Sequence, residues 1–426
     1  MKQVLIGAAC ALLLAGCQQS AVPEVGGGSA PLKDAFPVAR ATVTGPIGDA
    51  GIHGHALWDS WFDLSELGYD EQEYFISGTA QVQPGGATAP YTTRIIVARP
   101  KDASRFNGTV VMDWVNVTAQ FENAVDTTEA HDMMLREGYA YVLVSAQAAG
   151  LCCVPELTPK TWDPVRYMAI SHPGDDWSFD MFAQVARALR DADPAGVDPM
   201  AGLPVQKVLA WGQSQSADRL YDYVNTGYAD SRVIDGFIIH GGGSKFFDNP
   251  LPVPVIHLLS DREALNDTPT ADPNYSLWEI AATAHTDIYV GWHQVGGEST
   301  RALADAPRQP ASADPQLHVT AGNYGEQVSP LLAACIVAGS AMPMRYAVKA
   351  SLHYLDAWVR GGPRPPQGAR FEFDSSGKLA KDEHGNTRGG IRYPPVDVPV
   401  ARYDSTACPL GGITLPFTDA QLAQLY

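Results

Sequence analysis

The sequence is poor in positive charge. It has 29 Lys and Arg against 47 Asp and Glu, which gives a formal net charge of −18 and an isoelectric point near 4.9. Nucleic-acid binding needs clustered Lys and Arg side chains that neutralise phosphates. The charge balance therefore argues against a nucleic-acid partner and predicts a soluble, acidic protein.

Cysteine is also scarce, with 6 in 426 residues. No pair has the C-x-x-C spacing of a metal site, so we do not expect a zinc site. We also expect no organic cofactor. Outside the cytoplasm, disulfides among Cys152, Cys153, Cys335 and Cys408 are plausible, and their pairing stays open. Adjacent cysteines such as Cys152 and Cys153 seldom bond each other, because that geometry is strained.

The apolar run near the N-terminus is too short for a stable transmembrane span. It extends from Val4 to Leu14 and ends in the string Leu14-Ala15-Gly16-Cys17. This string resembles a bacterial lipobox, and the resemblance implies cleavage before Cys17 and lipidation of that cysteine. An ordinary secretory signal with an incidental cysteine is the alternative.

The N-terminal signal sets the expected organisation of the chain. We predict a lipoprotein signal peptide over residues 1–16, a flexible tether over 17–34 and a single domain over 35–426. The predicted location is the cell envelope, with membrane contact only through lipidated Cys17. Such a protein has no nucleotide or redox-cofactor supply, which favours hydrolysis or binding.

Short apolar runs alternate with segments of helical spacing, and this predicts an α/β fold. The central sheet should be mostly parallel with helices on both faces, and the first strands should form an antiparallel edge. The predicted strands are 70–82, 91–98, 109–114, 139–145, 208–211, 233–239 and 253–259, and the predicted helices are 128–137, 179–189, 217–225 and 344–360.

Three stretches do not fit this alternation. Residues 152–173 and 298–330 are too long for plain connections, and we expect lids or pocket walls there. Residues 361–426 are rich in Pro and Gly and are expected to wrap the outside of the same domain.

The pentapeptide Gly212-Gln213-Ser214-Gln215-Ser216 lies between a predicted strand and a predicted helix. A strand, a tight turn with a central serine and a helix are typical of a nucleophile elbow. The turn lifts the Ser214 hydroxyl above the sheet edge and leaves the Gln215 N–H available to stabilise an oxyanion. Ser216 stands where glycine is usual, and serine is still small enough for close packing of helix on strand.

A serine nucleophile needs a base, and the base needs an orienting acid. In this kind of sheet the acid and then the histidine follow the serine in chain order. The strand 254–259 is followed by Ser260-Asp261-Arg262-Glu263, and the fourth position of this turn favours Glu263 as the acid. Asp261 is the alternative.

The base should lie on a loop after the acid. His285 stands among small residues in the segment 278–287, which leaves its ring room to reach a serine hydroxyl. His293 is the rival, because it is close downstream. His257 lies within a predicted strand and is expected in the core or a pocket wall, and His240 is either a pocket or a structural residue.

A second oxyanion donor usually comes from the loop after an earlier strand. Here that loop is 114–118. Its backbone N–H groups or the Asn116 amide can serve, and a purely structural role for Asn116 as a turn former is equally compatible with the sequence.

Several strings together resemble the bacterial alpha/beta hydrolase domain proteins, which are related to serine esterases. They include 74–80, 90–94, 106–111, 144–147, 171–175, the serine pentapeptide and 278–287. The resemblance implies an α/β-hydrolase fold with lid-like insertions, Ser214 as nucleophile and His285 as base. That family often has Ser/Thr-Glu-x-Asp at the acid turn. Here the two acidic residues are exchanged, so the acid stays open between Glu263 and Asp261.

The leading hypothesis is a serine carboxylic-ester hydrolase that works through an acyl-enzyme on a small-molecule or polymer-derived ester. A lactonase or acyltransferase with the same triad is one alternative, and a non-catalytic surface-binding lipoprotein is another. Trp162, Trp177 and Trp292 are candidates for a pocket wall, although each is also compatible with core packing.

Overall fold

The computed structural model describes residues 38–82, 85–243, 245–247, 250–314, 317, 339–407 and 410–426, with residues 292 and 294–296 described by their backbone alone. The predicted signal peptide, Cys17 and the tether lie outside these residues, as do Cys335 and Cys408. Within the described ranges, no helix has both the length and the apolar composition that crossing a membrane requires.

The described elements alternate between strands and helices. The strands are β1 Thr42–Thr44, β2 Tyr69–Gln81, β3 Thr88–Pro100, β4 Thr109–Trp114, β5 Ala140–Val144, β6 Lys207–Gln213, β7 Gly236–His240, β8 Val255–Ser260, β9 Tyr275–Ile280, β10 Ala401–Asp404 and β11 Ile413–Pro416. The α-helices are α1 Val125–Glu137, α2 Pro159–Trp162, α3 Ser178–Arg190, α4 Gln215–Asn225, α5 Ile288–Trp292, α6 Ser299–Ala304, α7 Arg345–Val359, α8 Pro394–Asp397 and α9 Asp419–Leu425.

Nine strands form one sheet in the order β1-β2-β3-β5-β4-β6-β7-β8-β9. Strands β4 to β9 run parallel to one another, whereas β1, β2 and β3 form an antiparallel edge. The predicted mostly parallel sheet with an antiparallel edge is therefore confirmed. The carboxyl ends of the parallel strands meet at one edge, which is where ligands bind in open α/β sheets.

Helices cover both faces of this sheet, and a hydrophobic layer lies under each. On one face α3 and α4 pack on residues such as Trp114, whose ring lies 4.7 Å from that of Phe182. On the other face α1 and α7 pack around Trp211 and Leu352. Both layers are close to fully buried, so the sheet is a rigid platform for its loops.

Two of the element boundaries that differ from the predictions are set by distant side chains. Helix α1 begins at Val125, three residues before the predicted start, since Asp113 accepts hydrogen bonds from Thr127 N (3.2 Å) and Oγ1 (2.7 Å). Strand β7 begins only at Gly236, because Asp235 Oδ2 turns away to accept from Val208 N at 2.8 Å.

The irregular stretches contact each other, and the C-terminal segment contacts the last strand of the sheet. Trp162, from the first predicted lid stretch, donates its indole N–H to Ala302 O of the second at 2.9 Å. The C-terminal segment packs beside β9, where Ile391 N donates to Glu279 O at 2.6 Å, and Thr286 N donates to Leu410 O at 3.0 Å. The last two contacts brace β9 and the loop that follows it.

The adjacent cysteines form a disulfide. Cys152 and Cys153 have their Cα atoms 3.7 Å apart. Cys153 adopts a φ of 88°, a left-handed conformation that residues with a side chain seldom take. The expectation that these neighbours do not bond each other is wrong, because this local turn brings the two sulfur atoms together.

Candidate functional site

Ser214 lies at the tip of a strained turn between β6 and α4. Its φ is 62° and its ψ is −124°, values that non-glycine residues rarely adopt and that often mark functional sites. The Ser214 N–H donates to His240 O of β7 at 2.8 Å, which fixes the turn to the neighbouring strand. The half-exposed side chain therefore stands at the carboxyl edge of the sheet.

The turn requires small residues in the pentapeptide, because the helix after it lies close to the strand before it. A Cβ atom added at Gly212 would lie 2.9 Å from the Cβ of Ser216, which real Cβ contacts do not show. Ser216 is itself fully buried. Helix α4 thus packs so closely on β6 that position 212 requires glycine.

Glu263 and His285 are in direct contact. The His285 Nδ1–H donates to Glu263 Oε1 at 2.6 Å, and both side chains are nearly buried. Glu263 Oε2 accepts from Ser260 N at 3.2 Å and from the Ser260 hydroxyl. Burial opposes ionisation of Glu263, but the hydrogen bonds from His285 and Ser260 outweigh it and hold the pKa of this carboxyl below its usual value.

Asp261 has different partners and does not contact His285. Its Oδ1 accepts from Ala282 N at 2.9 Å, and its Oδ2 accepts from the hydroxyls of Thr387 and Ser405. Burial raises the pKa of the Asp261 carboxyl, against the opposing effect of Lys381. Asp261 therefore ties the β8 turn to the C-terminal segment.

The second ring nitrogen of His285 contacts a glutamine. Gln213 Nε2 lies 3.2 Å from His285 Nε2 and 3.1 Å from His285 O. Among the described residues, the Ser214 hydroxyl has no hydrogen-bond partner. The structure thus brings the predicted acid and the predicted base into contact, whereas the predicted hydrogen bond between Ser214 and His285 is not formed.

The two predicted oxyanion donors have different surroundings. Gln215 is the first residue of α4, where the backbone N–H groups have no partner within the helix and the helix dipole favours negative charge. The Asn116 amide donates to Gln213 O at 2.9 Å, and the Asn116 N–H donates to Asn123 O at 2.8 Å. Asn116 therefore braces the elbow, and its backbone donor is already used.

The side chains of His240, Trp162 and Trp177 have partners other than Glu263 and His285. His240 is buried, its Nδ1 pairs with Asp126 Oδ1 at 2.7 Å and its carbonyl accepts the Ser214 N–H, so it has a structural role beside the turn. Trp162 is buried in the packing between the two irregular stretches, Trp177 packs on the main core, and the Trp292 side chain is outside the described atoms.

One set of described side chains has metal-ligand spacing. The ligand atoms of His131, His293 and Asp314 lie within 4.8 Å of one another, beside a cavity of about 50 Å³.

His293 Nε2 accepts the Trp61 indole N–H at 3.0 Å, and His293 Nδ1 faces Glu298 at 3.2 Å. The two ring nitrogens of His293, the rival base, thus face Trp61 and Glu298.

His257 lies in the core and supports the backbone that packs against Ser214. Its Nε2–H donates to Gly242 O at 2.7 Å, and its Nδ1 accepts from the Tyr275 hydroxyl at 2.8 Å. Gly242 lies directly against the backbone of Ser214, since a Cβ there would be 2.6 Å from Ser214 O. Burial lowers the pKa of His257 to about 4.

This buried neutral histidine predicts a loss of stability in mild acid. Between pH 6.5 and about 4 the unfolded chain binds a proton at His257 and the folded chain does not, so stability falls as the pH decreases. Between pH 7.5 and 5 the contribution is about 2 kcal/mol. Urea unfolding at both pH values should show that His257→Gln removes about this much of the pH dependence. An identical pH dependence in both proteins would contradict the prediction.

Sequence reasoning missed a group of polar residues that brace the elbow. Gln147 Oε1 accepts from Gln215 Nε2 and from the Trp114 indole, both at 2.9 Å, and Gln147 Nε2 donates to Asp175. Arg219 of α4 donates to the same carboxylate at 2.8 Å. Gln147 and Asp175 lie in two strings of the family resemblance, and Gln213 lies in the pentapeptide, so proximity to these motifs was the available signal.

Comparison with solved structures finds distant similarities. An α/β serine hydrolase without a lid from Xanthomonas campestris has 15% identity, with 55% of this chain and 97% of that chain covered and a TM-score of 0.29. A Coxiella burnetii α/β serine hydrolase homologue has 11% identity, 54% and 97% coverage and a TM-score of 0.29. A CE15 glucuronoyl esterase from Teredinibacter turnerae has 14% identity, 49% and 47% coverage and a TM-score of 0.25. A search of curated proteins found no match.

The match to a family is much more extensive. The model of the alpha/beta hydrolase domain matches residues 43–426, from β1 to the last residue of the chain. This range includes all of the nine-stranded sheet except Thr42, together with the turn that carries Ser214 and the Glu263–His285 contact. The chain belongs to the alpha/beta hydrolase domain family.

Proposed function

We propose that this protein is a serine carboxylic-ester hydrolase with Ser214 as nucleophile, His285 as general base and Glu263 as the orienting acid. The observation that carries the proposal is the 2.6 Å contact between His285 and Glu263 beside the strained Ser214 turn. Because Nδ1–H donates to the carboxylate, neutral His285 has its lone pair at Nε2, as a general base requires.

The proposed reaction has two halves. Ser214 Oγ attacks the ester carbonyl while His285 Nε2 takes the hydroxyl proton, and that proton then passes to the leaving alcohol. Water attacks the acyl-enzyme with His285 again as base, which releases the acid and restores Ser214. The Gln215 N–H at the start of α4 is the proposed oxyanion donor, and the steps need no metal or organic cofactor.

The cellular setting is part of the proposal. We infer that cleavage before Cys17 and its lipidation place the domain at the cell envelope, where an ester substrate arrives without any cofactor. A small-molecule or polymer-derived ester remains the proposed substrate class.

The acyl-enzyme gives a direct test. Rapid mixing with excess p-nitrophenyl acetate should release a burst of nitrophenol of about one equivalent per protein, because nitrophenol leaves in the acylation step and the acetyl-enzyme accumulates when its hydrolysis is the slower step. A fluorophosphonate should label the protein irreversibly, and peptide mass spectrometry should locate the adduct on Ser214. Absence of both the burst and the adduct would exclude the proposed nucleophile.

A further inference from the structure

The side chain of Gln213 bridges two atoms of the proposed base. Its Nε2 is within hydrogen-bond distance of both His285 O, at 3.1 Å, and His285 Nε2, at 3.2 Å. A primary amide nitrogen carries two hydrogens, so it can donate to both atoms at once. Gln213 is almost fully buried, and β6 and the Asn116 amide hold its backbone.

The Gln213 contact matches one tautomer of the His285 ring. His285 Nδ1 donates to Glu263, so Nε2 of the neutral ring is an acceptor and the Gln213 amide is its matching donor. Glu263 and Gln213 therefore hold opposite ends of one imidazole. The Nε2 lone pair, which must accept the Ser214 proton, is therefore present on the ring. In this structure it accepts the hydrogen bond from the Gln213 amide instead.

We propose that Gln213 is a positioning residue for His285, which holds the ring in its neutral, base-ready tautomer and releases Nε2 to Ser214 when an ester binds. This inference rests on the proposed function. Once Nε2 has taken the Ser214 proton it becomes a donor, and the Gln213 N–H no longer matches it. The amide must then withdraw or turn its oxygen towards the ring.

Two substitutions at this position separate positioning from simple packing. Gln213→Met keeps the length of the side chain but donates no hydrogen bond, and kcat should fall about tenfold with KM unchanged. Gln213→Glu keeps the shape but only accepts, so it should trap Nε2–H. Its kcat at pH 7 should fall about 100-fold and should recover at higher pH, which the methionine variant should not do.

A distant buried glutamine is the matched control. Gln184 is fully buried in α3 and donates to Thr79 O and Asp180, both at 2.9 Å. Gln184→Met therefore removes these two donated hydrogen bonds, and the one that Gln184 Oε1 accepts from the Tyr91 hydroxyl at 3.1 Å, all away from the site. It should lower the urea midpoint of unfolding and leave kcat and its pH profile unchanged.

A spectroscopic measurement tests the contact without any turnover. In protein labelled with ¹⁵N-histidine, the Nε2 resonance of His285, assigned by its loss in His285→Ala, should move in Gln213→Met and stay in place in Gln184→Met. An unmoved resonance with an unchanged kcat would overturn the role of Gln213. If the native protein shows no esterase activity, the proposed function fails, and the resonance alone decides whether Gln213 positions the ring.

Discussion

Replacing Ser214 by alanine is expected to lower kcat for p-nitrophenyl ester hydrolysis by about 10⁶-fold, as the loss of a serine nucleophile does in other hydrolases. The turn at Ser214 has a positive φ and stands at the carboxyl edge of the sheet beside His285. Alanine keeps the Cβ atom and the strained turn but has no oxygen to form the acyl-enzyme. KM should change little, because the side chain contributes reactivity rather than substrate binding.

The second serine of the pentapeptide is the control for this experiment. Ser216 is fully buried, and among the described residues its hydroxyl has no hydrogen-bond partner. Ser216→Ala removes that hydroxyl and leaves the close contact between α4 and Gly212 intact. Its kcat should therefore stay within a few-fold of the native value. Equal activity of native protein and Ser214→Ala, or loss in Ser216→Ala alone, would refute Ser214 as nucleophile.

Much of the fold could be predicted because its signals are local. Strand β4 coincides with the predicted run 109–114, and Gly138 ends α1 in a left-handed conformation, as a C-terminal glycine does. Strand β9 was not predicted. It contains Glu279, which is fully buried because Arg370 and Phe371 N donate to its carboxylate. A partner about ninety residues away cannot be recognised in a local pattern.

In the candidate site, too, features with local signals could be predicted and features that depend on distant contacts could not. Chain order and flanking strands pointed to Ser214, Glu263 and His285, and the structure brings the last two into contact. The roles of Gln213 and Asn116 depend on which way an amide side chain points in the folded protein. The sequence does not show such orientations, because it reads the same whether the glutamine side chain faces the proposed base or the solvent.

Glu263→Gln is expected to lower kcat by about 10⁴-fold, because it disturbs the tautomer of His285. Glu263 Oε1 accepts the Nδ1–H, and Glu263 Oε2 is held by Ser260. If the glutamine presents its NH₂ group to the ring, Nδ1 must become the acceptor and the proton moves to Nε2. His285 can then no longer take a proton from Ser214, although the shape of the site is unchanged.

Asp261→Asn is the matched substitution on the same turn. Asp261 accepts from Thr387, Ser405 and Ala282 N, so asparagine should lower the free energy of unfolding by about 1–3 kcal/mol while kcat stays within a few-fold. Steady-state kinetics and urea unfolding of both variants give the comparison. A catalytic loss in Asp261→Asn with full activity in Glu263→Gln would assign the acid to Asp261. The opposite pattern is expected, because the Glu263 carboxylate alone reaches the imidazole, whereas the Asp261 carboxylate is already used in holding the C-terminal segment against the loop that carries His285.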